Sequence, residues 1–222
     1  MNARSTQAGV LLAGATGLVG RALVPLLLAR KPPPRLHALV RRAPDAADAR
    51  VHWLRVDFAR LPALPAAAEA YCCLGSTIKQ AGSQAAFRAV DFDAVLAFAH
   101  AARAAGVQRF AVVSALGAGA RSPGFYNRVK GEMEDAVGAL GFDSLVIARP
   151  SLLAGDRAAL GQPARTGERL ALWLSAPIGG LIPKGLRPIK ADTVARGMMV
   201  ALQQQRRGVR IVESGELQEL GS

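Results

Sequence analysis

Tyr126 and Lys130 stand four residues apart in "FYNRVKGEMEDAV", the spacing that puts two side chains on one face of a helix. A free tyrosine ionises near pH ~10 and exchanges protons poorly at neutral pH, whereas an adjacent ammonium stabilises its phenolate. Lys130 is expected to do this and also to hold a ribose. Ser114 closes the apolar run "RFAVVS", and its hydroxyl is placed to polarise a carbonyl. The three residues together suit proton exchange at a carbonyl or alcohol oxygen, with Tyr126 as general acid/base. The alternative is an aromatic ring resting on a lysine stem. The chain has only two tyrosines, and this one follows a serine-ended strand, which favours the catalytic reading.

Such a site needs a redox partner, and the opening stretch "GVLLAGATGLVGRAL" supplies a place for one. An apolar strand breaks at Gly14, Gly17 and Gly20 and then enters a helix. Glycines let the backbone approach a pyrophosphate, and a helix N-terminus offers unpaired N–H groups and a positive dipole end. The candidate cofactor-binding residues here are Gly14, Ala15, Thr16, Gly17, Leu18, Val19 and Gly20. The spacing is G-x-x-G-x-x-G, and a purely steric strand-to-helix turn would use the same residue type.

After the second strand, where an acidic residue would meet a ribose 2′-hydroxyl, the chain has Arg41 and Arg42. Two guanidinium groups suit a 2′-phosphate, so NADP(H) is expected ahead of NAD(H). The alternative is a pair of solvated surface arginines. Asp57, just past the third strand, is placed either for an adenine amino group or for a turn.

The elements that must position these residues follow from alternating apolar runs and helical stretches. Strands are expected at Val10–Ala13, Leu36–Val40, Val51–Val56, Ala70–Leu74, Phe110–Val113, Ser144–Ala148 and Val209–Val212. Helices are expected at Leu18–Arg30, Gln84–Ala105, Tyr126–Leu140, Gly167–Ser175 and Asp192–Gln204. The prolines of "KPPPR" end the first helix, and Pro25 within it predicts a kink or a missing hydrogen bond. The fold class is therefore α/β: a doubly wound, Rossmann-type parallel sheet in a single domain spanning residues 1–222. The glycine- and proline-rich stretch 151–190 is expected to form a small substrate-side lid.

Composition narrows the function further. The chain has 222 residues, a net charge of +12 and 5% aromatic residues. The arginines are scattered rather than interleaved with aromatics, so no nucleic-acid partner is expected. No apolar run is long enough to span a bilayer, and no signal-peptide core precedes the first strand, so a cytoplasmic protein without a membrane partner is expected. Cys72 and Cys73 are adjacent and suit neither a disulfide framework nor metal ligation. Either thiol would be redox-sensitive if exposed near the cleft, although a buried apolar role is favoured. His37, His52 and His100 lack ligand partners at metal spacing, so no metal site is expected.

The chain resembles the atypical short-chain dehydrogenases/reductases. "GATGLVG" is similar to their glycine motif, Ser114 with Tyr126 and Lys130 to their catalytic serine and YxxxK, and "ARPSLLAG" to their post-strand element. "CCLGSTIKQAGSQAAFRAVDFD" and "FYNRVKGEMEDAV" look most like the Tat-interacting-protein type of oxidoreductase-like proteins. The resemblance runs from Val10 to Asp156 and returns weakly at "RPIKADTVARGM". It implies Leu74, Gly75 and Ser76 beside the cofactor and Pro150 near the nicotinamide.

Many relatives carry an asparagine that anchors a relay water where this chain has Asp91, so an altered relay is expected. A C-terminal portion shorter than in sugar-nucleotide epimerases disfavours a bulky nucleotide-sugar substrate. The resulting expectation is an NADP(H)-dependent oxidoreductase acting on a small carbonyl or alcohol. The alternative is a non-catalytic NADPH-binding regulator or redox sensor acting through a protein partner; a homo-oligomer is compatible with either.

Overall fold

The computed structural model describes residues 9–44, 47–154, 184–205 and 207–222. Its centre is a seven-stranded sheet in the order β3-β2-β1-β4-β5-β6-β9, with every pairing parallel. The strands are β1 (Gly9–Ala13), β2 (Arg35–Val40), β3 (Val51–Arg55), β4 (Glu69–Cys72), β5 (Arg109–Val113), β6 (Ser144–Arg149) and β9 (Gly208–Glu213). All seven expected strands form, with ends displaced by one or two residues. The interior strands are buried on both faces, which explains why they read as continuous apolar runs rather than as alternating patterns.

Helices cover both faces. Leu23 and Leu27 of α1 (Leu18–Leu28) pack with Val194, Met198 and Leu202 of a C-terminal helix, Ala191–Gln204, beneath Val10, Leu12 and Val146. On the opposite face, Val95 and Phe98 of α4 (Ala94–Ala104) join Met133 and Val137 of α5 (Phe125–Gly138) against Leu11, Phe110 and Ile147. Pro25 lies inside α1, where it removes one helical donor.

Four features differ from the sequence expectation. The long helix from Gln84 is instead α3 (Gln84–Arg88), a π turn (Ala89–Asp93) and α4. In the π turn the Ala94 N–H bonds the Ala89 carbonyl, and the widened turn carries Asp91 into the interior. The short α2 (Ile78–Ala81) was not expected; Thr77 and Gln80 cap it reciprocally. Two-residue strands β7 (Leu153–Ala154) and β8 (Ile189–Lys190) pair in parallel and tie the stretch after Pro150 to the start of the helix Ala191–Gln204. A final helix, Ser214–Gly221, packs Leu217 into the core. The expected helix Gly167–Ser175 and most of the expected lid lie outside the described residues.

Strand order reverses direction between β1 and β4. The chain leaves the C-terminal ends of these neighbouring strands in opposite directions, opening the crevice in which doubly wound folds bind ligands.

Candidate active site

A cavity of about 920 Å3 lies at that crevice. Its walls include Gly17 from the β1–α1 turn, Gly75 and Ser76 after β4, Ser114 after β5, and Tyr126 and Lys130 from α5. The three glycines of the turn are not equivalent. Gly14 has φ +82°, and a Cβ there would lie 2.4 Å from the Cys73 carbonyl carbon. A Cβ at Gly20 would lie 2.1 Å from the Gly14 oxygen. These two glycines let the turn fold and α1 approach the sheet. At Gly17, the N-cap of α1, the nearest neighbour of a Cβ is the Gly14 oxygen at 3.4 Å. That side-chain position is open, and Gly17 lines the cavity. With no acidic residue in its first turn, the positive end of α1 is available to an anion.

The opposite wall is polar and almost dry. Asp91 Oδ1 contacts Lys130 Nζ at 2.7 Å, and their side chains are 0% and 3% exposed. Ser76 donates to Asp91 Oδ2 from its backbone nitrogen at 2.8 Å and from its hydroxyl at 2.9 Å. Burial alone would lower the Lys130 pKa, but the Asp91 carboxylate, with Tyr126 and Cys72 adding to it, more than compensates, and the net shift is upward.

Tyr126 packs its ring 5.2 Å from that of Phe87. Its pKa is raised. Burial is the largest cause, the Lys130 ammonium opposes it, and Asp91 adds to it. Lys130 therefore acts on Tyr126 in the expected sense but does not prevail, because burial of the phenol outweighs it and Asp91 adds to burial. The oxygens of Asp91 face Ser76 and Lys130.

Ser114 follows β5, its backbone N–H bonded to the Ala148 carbonyl at 2.7 Å. Its hydroxyl donates to Glu134 Oε1. Glu134 is also held by Arg149, at 3.0 Å and 2.6 Å, and Arg149 reaches Glu213 at 3.1 Å. This chain of contacts crosses from α5 to β6 and the end of β9, and it turns the Ser114 proton away from the carbonyl role expected for it.

The NAD(P)H-binding family matches residues 14–165. This chain belongs to that family. Protein HTATIP2 of Rattus norvegicus is 34% identical over 200 residues, covering 86% of this chain and 79% of the relative. Protein fmp52, mitochondrial, of Emericella nidulans is 33% identical over 185 residues, covering 78% of this chain and 76% of the relative. The resemblance to atypical short-chain dehydrogenases/reductases is borne out.

Among solved structures, gox2253 superposes with a TM-score of 0.68 at 23% identity, covering 93% of this chain and 70% of that one. MoeE5, in complex with UDP-glucose and NAD, gives 0.65 at 19% identity, covering 92% and 75%. At these identities the likeness is one of fold. The expectation of a cytoplasmic location does not stand, because several fmp52 relatives that match most of this chain are named mitochondrial. Among the described residues, no helix is long and apolar enough to cross a membrane.

Within the family's fold, the cavity gathers Thr16, Gly17, Leu18 and Val19 with Leu74, Gly75, Ser76, Ser114, Tyr126, Lys130 and Pro150. Gly14, Ala15 and Gly20 do not line it. Arg41 and Arg42 are exposed just beyond β2 and do not line it. Asp57 is exposed, and its Oδ1 accepts the Ala59 N–H at 2.9 Å, which is the turn role. Cys72 is buried, whereas Cys73 is partly exposed and lines the cavity; burial pushes the Cys72 thiol up to about 12 and raises that of Cys73 as well.

Glu134 and Arg149 were missed in the sequence. Their signal is a carboxylate one turn beyond Lys130 and an arginine ending an apolar strand, and only the tertiary fold brings them together.

Proposed function

We propose that this protein is an NADP(H)-dependent oxidoreductase that interconverts a small carbonyl compound and its alcohol. The supporting observation is the shared wall of one cavity, where the open glycine turn faces a tyrosine and a lysine four residues apart. The turn fits a dinucleotide: Gly17 leaves room for a pyrophosphate, and the first-turn N–H groups of α1 would receive it. Arg41 and Arg42 would hold a 2′-phosphate and Lys130 a ribose hydroxyl.

When bound, the nicotinamide exchanges two electrons and one hydrogen with the substrate carbon. Tyr126 exchanges the matching proton between its Oη and the substrate oxygen. Ser114 orients that oxygen only by turning its hydroxyl from Glu134. Leu74, Leu116, Leu152 and Leu153 give the cavity an apolar side that suits a small uncharged substrate and excludes water.

The test is a panel of aldehydes and ketones with NADPH oxidation as the signal, run on wild type and Tyr126→Phe. The Phe variant is expected to lose about 10²- to 10⁴-fold in kcat with unchanged NADPH affinity. Turnover at the wild-type rate, or failure of the wild type to bind NADPH, would overturn the reading. The hydroxyl of Ser114, committed to Glu134, favours a second reading: an NADPH-binding regulator. NADPH binding without turnover of any carbonyl would support it.

A further inference from the structure

We propose that Asp91 is a positioning residue that opposes the Lys130 charge at Tyr126 and helps to keep the buried phenol protonated, so that the site is built to give a proton to a carbonyl oxygen. This rests on the function proposed above and adds a preferred direction, carbonyl reduction, to it.

The geometry is specific. An unopposed ammonium near a phenol stabilises the phenolate, which is the proton-accepting form that alcohol oxidation needs. Here the ammonium is opposed by a carboxylate at 2.7 Å, and both groups are shut off from water that would otherwise screen them. The carboxylate is fixed by two donors from Ser76, at 2.8 Å and 2.9 Å, so it cannot swing away from Lys130 without losing them. Gly75 closes the arrangement from above: a Cβ there would meet Asp91 Oδ1 at 3.4 Å and Lys130 Nζ at 3.7 Å.

The π turn gives the placement its cause, because the widened turn is what brings Asp91 into the interior. The groups acting on the phenol are all accounted for. Lys130 shares its helix, Asp91 faces it from the π turn, and the Phe87 ring beside it from α3 carries no charge. On the Lys130 side, the Cys72 thiol stays protonated. Glu134, farther along α5, is neutralised by Arg149. The raised pKa of Tyr126 agrees with this arrangement but is not its basis. After each proton is given up, the phenolate regains one from solvent.

The chain's two tyrosines make the test direct. Protein labelled with 13C at tyrosine Cζ gives two signals, assigned by Tyr126→Phe, and the Tyr126 signal is titrated in wild type, Asp91→Asn and the double variant Asp91→Asn/Lys130→Met. Asp91→Asn should lower the Tyr126 pKa by about one unit or more, the scale of a nearby opposite charge left unopposed. The double variant, which lacks both charges, should return it close to the wild-type value. An unchanged or higher pKa in Asp91→Asn would overturn the proposal, as would an equal fall in the double variant, since loosened packing would act on both alike. Should Asp91→Asn fail to fold, the double variant still decides: a Tyr126 pKa well above wild type would mean that Lys130 had dominated the phenol all along. The titration needs no cofactor or substrate, so it stands or falls separately from NADPH binding and turnover.

Discussion

The glycine turn offers a sharp separation of binding from folding. At Gly20 a Cβ would sit 2.1 Å from the Gly14 oxygen, more than an ångström inside ordinary contact, and the neighbour is backbone. Gly20→Ala must push α1 away from the β1–α1 turn, at a cost at or above the top of the roughly 1–3 kcal/mol range for overpacking. At Gly17 the same atom would sit 3.4 Å from the Gly14 oxygen and 3.9 Å from the Cys73 oxygen, on an extended backbone with φ −79° and ψ 173°. Gly17→Ala therefore costs only about 1 kcal/mol, the loss of a tolerated N-cap residue, and Gly17→Val is expected to fold as well.

Binding should behave in the opposite way. A valine side chain at Gly17 projects where a pyrophosphate would meet the first turn of α1. Losing two charge-assisted hydrogen bonds at about 1.5 kcal/mol each removes ~3 kcal/mol, or roughly a hundredfold in Kd. NADPH fluorescence titration reads the affinity, and urea unfolding of the same samples reads the fold. Gly17→Val that binds NADPH like wild type would refute the assignment of this turn to the pyrophosphate. Gly17→Val that unfolds as readily as Gly20→Ala would refute the claim that Gly17 is kept for ligand space.

Two further outcomes follow from charge. Replacing Arg41 and Arg42 together by Ala should abolish a preference for NADPH over NADH, and salt should weaken NADPH binding more than NADH binding in the wild type only; equal wild-type affinities for the two cofactors would refute the assignment. His37 is buried, stacked 5.0 Å from His52, and its Nδ1 has no hydrogen-bond partner among the described residues. Burial first, then His52 and Arg35, lower its pKa. The unfolded chain thus binds a proton that the fold does not, so stability is fully present above the ordinary histidine value of about 6.5 and is lost as pH falls through it. Urea midpoints measured across that range should slope upward with pH in wild type and less steeply in His37→Phe; an equal slope would place the proton uptake elsewhere.

What the sequence made legible divides along a physical line. The strands were readable because an interior parallel strand is apolar on both faces, and the glycine turn because a positive φ and a tight helix-to-sheet approach each demand the same residue. Tyr126 and Lys130 were readable as a pair because one helix carries both. Asp91 was noticed only as a substitution, and its partner was not, because the ion pair joins residues from two elements and depends on a π turn that no residue type announces.

The same limit hid Glu134 behind Ser114. A hydroxyl at a strand end looks free in sequence, whereas here a carboxylate from the next helix claims its proton and an arginine from the next strand holds that carboxylate. In both cases the motif residue was found and its electrostatic partner was not. That partner sets the chemistry: Lys130 without Asp91 would stabilise a phenolate, and Lys130 with Asp91 leaves a phenol. Two chains with the same YxxxK can therefore face a substrate with opposite proton inventories, and the burial of the phenol together with the carboxylate beside its lysine, rather than the motif, decides which one a given site carries.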